Sequence, residues 1–128
     1  MITEDYVSFE VAKLLKEKGF DEQCRDFYRQ ENGNWLHRNT YEYNYFNLQM
    51  PMWKDCYACP THQMAMKWLR EKGIYFSLVP FIENVGWPKD TWHINFYNSD
   101  GIIGGGFPVK GYEEAVEAAI KNCLENLI

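Results

Sequence analysis

The chain has 128 residues, 46% of them apolar and 17% aromatic, with a formal net charge of −5. That length suits one domain, residues 1–128, able to bury a core without staples. The negative charge argues against non-specific nucleic-acid binding, which needs a basic footprint.

Taken in order, residues 1–20 contain a first helix. Ser8 is its N-cap, Phe9, Val11, Leu14 and Leu15 form the apolar stripe, and Gly19 stops it with Phe20 folding back. Residues 23–30 read as a strand in which Cys24, Asp26 and Tyr28 alternate with Arg25, Phe27 and Arg29. Neither face is cleanly apolar, as expected of an edge strand. Glu31-Asn32-Gly33-Asn34 is a turn signal, and residues 35–38 are the return strand of a hairpin.

Residues 39–59 are the least regular part. Tyr41, Tyr43, Tyr45 and Phe46 are followed by Met50, Pro51, Met52 and Trp53. A connection this long is uncommon in a small domain, and its rings either cover the core edge or line a pocket. Cys56-Tyr57-Ala58-Cys59 has redox or half-zinc spacing, but there is no second such pair and the three histidines lie far apart. Free structural thiols are therefore expected for Cys24, Cys56, Cys59 and Cys123, with no metal and no cofactor. A cysteine enzyme would need Cys56 or Cys59 activated by His62 or His93. His62, in the first turn of the next helix, reads more simply as a surface residue, and no catalytic residue is assigned.

That helix runs from Thr61 to Lys72. Pro60 fixes its entry, Thr61 caps it, Ala65, Trp68 and Leu69 face inward, and Gly73 takes the left-handed exit. It is also the one locally basic element, with three bases and one acid over residues 60–73. Residues 74–81 form a strand, then a turn-rich connection carries Trp87. Residues 91–97 are the cleanest strand: Trp92, Ile94 and Phe96 on one face, Thr91, His93, Asn95 and Tyr97 on the other. Gly104-Gly105-Gly106 lies in a connection able to present backbone N–H groups to an anion, although it lacks the lysine of a phosphate loop. A strongly periodic helix over 112–127 closes the chain, with Tyr112, Ala115, Val116, Ala119, Ile120, Cys123, Leu124 and Leu127 inward.

The order helix, hairpin, long loop, helix, strand, strand, helix predicts an α+β fold: a small antiparallel sheet with about three helices packed on one face. The opposite, polar face then becomes the expected ligand surface. Tyr75, His93, Asn95 and Tyr97 line it, Trp87 is a lid, and Arg25 and Arg29 supply charge. Rings, an amide and guanidinium groups are what a nucleotide-like ligand requires.

Three stretches carry a resemblance. Asp5 to Phe20, Ala58 to Lys72 and Tyr112 to Leu127, about a third of the chain, resemble a family of small accessory proteins encoded by phages, prophages and mobile elements of Bacteroides-type bacteria. The resemblance implies a dispensable, stoichiometric accessory protein, and identifies no catalytic residue. The expected function is non-enzymatic binding, such as sequestering a nucleotide-like host immune signal. A protein–protein module is the second reading and a Cys/His enzyme the third. The partners expected are a small nucleotide-like ligand, a host protein or a second copy of the chain. No apolar run suggests a membrane span, so a cytoplasmic location is expected.

Overall fold

The structure, a computed structural model, describes residues 4–48, 55–81 and 88–128. Two of its helices end in the same way. Helix α1 (Phe9–Glu17) is capped by Ser8, whose Oγ accepts the Val11 N–H at 3.2 Å. It leaves through Gly19 at φ 94°, with the Gly19 N–H on the Lys16 carbonyl and the Phe20 N–H on Leu15. Helix α2 (His62–Glu71) is capped by Thr61, whose Oγ1 accepts the Met64 N–H at 3.1 Å. It leaves through Gly73 at φ 79°, with Gly73 bonded to Arg70 and Ile74 to Leu69. Both are Schellman exits, and the parallel runs Leu15-Lys-Glu-Lys-Gly-Phe20 and Leu69-Arg-Glu-Lys-Gly-Ile74 explain them. Glycine accepts the left-handed turn, and the apolar residue after it satisfies the buried end.

The chain divides into two units, Met1–Ala65 and Met66–Ile128, with α2 running through the boundary. The fold class is α+β, but the strands form two three-stranded antiparallel sheets where the sequence suggests one.

In the first unit the sheet order is β2-β1-β3, from β1 (Cys24–Glu31), β2 (Asn34–Asn44) and β3 (Cys56–Ala58). The hairpin turns on Asn32 and Gly33, both at positive φ, the two-residue geometry that matches strand twist. Register runs from Glu31 opposite Asn34 to Cys24 opposite Asn44, with an irregularity between Cys24 and Asp26. Here the sequence reading needs correction. The return strand does not stop at residue 38 but continues to Asn44, and the supposed loop also contains β3. The alternation of rings and polar groups over 41–44 is strand periodicity. Phe46, fully buried, stacks on Phe27 at 4.4 Å, and Val11, Leu15, Phe20 and Cys56 complete that core. Phe9 stacks on Trp35 at 4.6 Å and meets Tyr28 and Tyr57 edge-on. Met50, Met52 and Trp53 lie outside the described residues.

His62 is also corrected, being only 9% exposed. Its backbone N–H donates to the Asp5 carbonyl, because residues 5–7 lie along 60–62 and bridge Tyr6 to Thr61.

In the second unit β4 (Tyr75–Pro80), β5 (Thr91–Asn98) and β6 (Gly101–Lys110) form a meander. Ile94 and Phe96 are buried, in the predicted register. Helix α3 (Tyr112–Asn122) packs against this sheet through Ala115, Val116, Ala119 and Ile120, and continues as a π-helical segment, Cys123–Leu127. The glycine-rich run is not a connection: it is the middle of β6, paired with Asn95 and Phe96. Gly104 and Gly105 therefore sit in a ladder and not at a helix N-terminus, the setting in which the run could have presented its N–H groups to an anion. Tyr112, expected inside, is 44% exposed and packs edge-on against Trp92.

Candidate ligand cleft

The residues singled out by the sequence fall in two places. On the second sheet, Tyr75 pairs with Tyr97, and Ser77 with Asn95, across β4 and β5. Ser77 Oγ and the Tyr97 hydroxyl lie 3.1 Å apart, and His93 Nε2 lies 3.1 Å from Asn95 Oδ1. The structure thus brings Tyr75, His93, Asn95 and Tyr97 onto one half-exposed face. Phe81 meets the His93 ring edge-on. The polar groups on this face largely engage each other. Trp87 lies outside the described residues. Arg25 and Arg29 belong to β1, in the sheet of the first unit, not to this face.

Arg25 instead lines a cleft of about 320 Å³ within the first unit. The N-terminal segment contributes Glu4 and Tyr6, β1 contributes Asp26 beside Arg25, and β2 contributes Asn39, Thr40 and Tyr43. Thr61 and Met64 close it from the start of α2, and the Cys24 and Cys59 side chains reach its floor. Neighbours along a strand normally face opposite ways. Arg25 and Asp26 both line the cleft, at the place where the β1–β2 register shifts between Cys24 and Asp26 and β2 carries the extra residues. The Arg25 guanidinium sits 5.8 Å from the centre of the Tyr43 ring.

Asp26 is the most constrained group. Its Oδ1 lies 3.0 Å from His37 Nε2, and it also takes a hydrogen bond from the Tyr6 hydroxyl. Burial, then the Asp26 charge and that hydrogen bond, push the Tyr6 pKa up, so the phenol stays a neutral donor. His37 packs between Tyr6 at 5.0 Å and Tyr28 at 5.5 Å, and the Tyr28 hydroxyl is anchored on the Val7 carbonyl at 2.7 Å.

Burial disfavours the thiolate at three of the four cysteines. Burial pushes Cys24 and Cys123 up to about 12, with Asp26 and Glu22 adding to the effect at Cys24. Burial also raises Cys56, against the pull of Arg29 and Lys16. The Cys59 thiol donates to the Val7 carbonyl at 3.5 Å, and none of the four cysteines forms a disulfide. Among the described residues no three His, Cys, Asp or Glu side chains group as metal ligands. No helix among them is long and apolar enough to cross a membrane.

Comparisons with family models, curated proteins and solved structures find no match to this chain. Apart from Arg25, and Tyr43 as one of the rings expected to cover the core edge or line a pocket, the cleft residues escaped sequence reasoning. The alternation over Tyr41-Glu-Tyr-Asn was the available signal, because extending β2 to 44 brings Asn39, Thr40 and Tyr43 beside β1.

Proposed function

We propose that this chain is a non-enzymatic binding protein that captures a small nucleotide-like ligand in the cleft of its first unit. The observation that carries the reading is the grouping of Arg25 over Tyr43 with Tyr6, Asn39 and Asp26 around about 320 Å³. That volume lies at the small end of ligand sites, roughly 300–1,000 Å³. A guanidinium suits a phosphate, tyrosine rings suit a base, and amide and carboxylate groups suit sugar hydroxyls and base edges. The resemblance to mobile-element accessory proteins supports stoichiometric capture of a host signal, an argument by analogy.

A thermal-shift screen against mononucleotides, cyclic oligonucleotides and ADP-ribose derivatives tests the reading. A ligand held at about 100 times its Kd should add about 2.7 kcal/mol of stability. Loss of the response in Arg25→Ala and Tyr43→Ala assigns the ligand to the cleft. Loss in His93→Ala with Tyr97→Ala instead assigns it to the polar face of the second sheet. A flat screen ends the small-ligand reading.

A second reading, a module acting on a host or phage protein, is favoured by one observation. Tyr41, Tyr43 and Tyr45 are 98%, 57% and 45% exposed along and just beyond the end of β2. Exposed tyrosines are common anchors at interfaces. A photo-crosslinker at position 41 would capture such a partner in infected or host-cell extract, and Tyr41→Ala would weaken its binding while leaving any small-ligand response intact.

A further inference from the structure

The cleft's charge pattern says more about its ligand than size does. Two carboxylates, Glu4 and Asp26, line it against one guanidinium, Arg25, which already lies over a ring. A carboxylate is acceptor-only and offers about four lone-pair sites. Asp26 receives the Tyr6 hydroxyl and His37 Nε2, so it has acceptor capacity left and two partners that hold its plane. The Asp26 side chain is only 15% exposed, so an incoming group must replace little water there. A carbonyl oxygen brought against it would meet like polarity, whereas an N–H₂ group would complete its shell. Buried polar groups discriminate strongly against a ligand that leaves them unpaired.

We infer that the cleft selects a ring bearing an exocyclic amino group, with the carboxylate of Asp26 as the acceptor that determines this specificity. The inference rests on the reading of the cleft as a ligand site. Tyr6 and Tyr43 supply flanking rings, and Tyr6 and His37 act as positioning residues for Asp26. Arg25 serves whatever anionic group the ring carries.

Adenosine against purine riboside, and cytidine against pyrimidin-2-one riboside, isolate the amino group, since each pair differs only by N–H₂ against hydrogen. Inosine and uridine would also bring a ring N–H that a carboxylate accepts. Titration calorimetry of the full chain with all four should give at least tenfold tighter binding of the aminated member of a pair. Asp26→Asn, nearly isosteric and able to donate, should abolish that preference. Tyr6→Phe, which keeps the ring but frees the carboxylate, should narrow it, and circular dichroism of both variants checks that they fold. Equal affinity within both pairs, or a preference unchanged in Asp26→Asn, overturns the inference and leaves the cleft reading standing. Silence of all four nucleosides also overturns it. The nucleotide screen then separates the two failures: a hit that depends on Arg25 keeps the cleft, and no hit removes both.

Discussion

His37 reaches Asp26 diagonally. The register sets His37 opposite Tyr28 and Asp26 opposite Asn39, yet Nε2 and Oδ1 are 3.0 Å apart. The contact ties β2 to the floor of the cleft, and Tyr6 and Tyr28 hold the imidazole from either side. Because the His37 side chain is 37% exposed, the bond is screened by water. His37→Ala should therefore cost about 1 kcal/mol in urea unfolding, and His37→Gln, which keeps a donor, should recover part of it. An unchanged midpoint would mean that the pair does not order this end of the sheet.

The three consecutive glycines of β6 are not equivalent. A Cβ at Gly104 or Gly105 would meet open space, whereas one at Gly106 would collide with the Ile94 carbonyl. Register shifts between His93 and Asn95 press the two strands together there. Gly106→Ala should cost on the order of 3 kcal/mol, with Gly104→Ala and Gly105→Ala close to neutral. Equal effects at all three positions would contradict this packing.

What could be read from the sequence follows from how local each signal is. Both Schellman exits were legible because a glycine and its next apolar residue act within one turn. The alternation of Ile94 and Phe96 with His93 and Asn95 was legible because one buried face forces register. The cleft was not. It depends on an irregularity in β2 opposite Arg25, and on residues 5–7 pairing with 60–62, and no periodicity marks either event. Glycines usually signal a loop, so β6 was missed, although close backbone approach demands a glycine only at position 106.

The end of β2 and the residue that follows it give a sharp contrast for stability. Tyr41 is almost wholly exposed and Phe46 fully buried against Phe27. Tyr41→Ala should change stability by less than about 0.5 kcal/mol, and Phe46→Ala should cost about 3–5 kcal/mol. Chemical denaturation of both variants checks this, and comparable losses would show that Tyr41 is covered in solution, for instance by a second copy of the chain.

The cysteines predict how stability depends on alkaline pH. Cys24 and Cys123 titrate near 12 in the folded chain, against an ordinary 9.0, chiefly because burial disfavours the thiolate. Their folded pKa lies above the unfolded one, so the stabilisation is fully present below pH 9.0 and is lost as pH rises toward 12. In that window the folded state holds a proton the unfolded state has released. Each thiol then contributes a slope of about −1.4 kcal/mol per pH unit. Lysines and tyrosines titrate in the same range, so the informative quantity is a difference between variants. Urea unfolding from pH 8.5 to 10.5 should show a pH slope that flattens by about one proton in Cys24→Ala, and by another in Cys123→Ala. The variants will be less stable at every pH, since each change opens a small cavity, but only the slope reports the titration. Parallel curves for all three chains would mean that these thiols ionise in the folded state as readily as in the unfolded one, and that water reaches both.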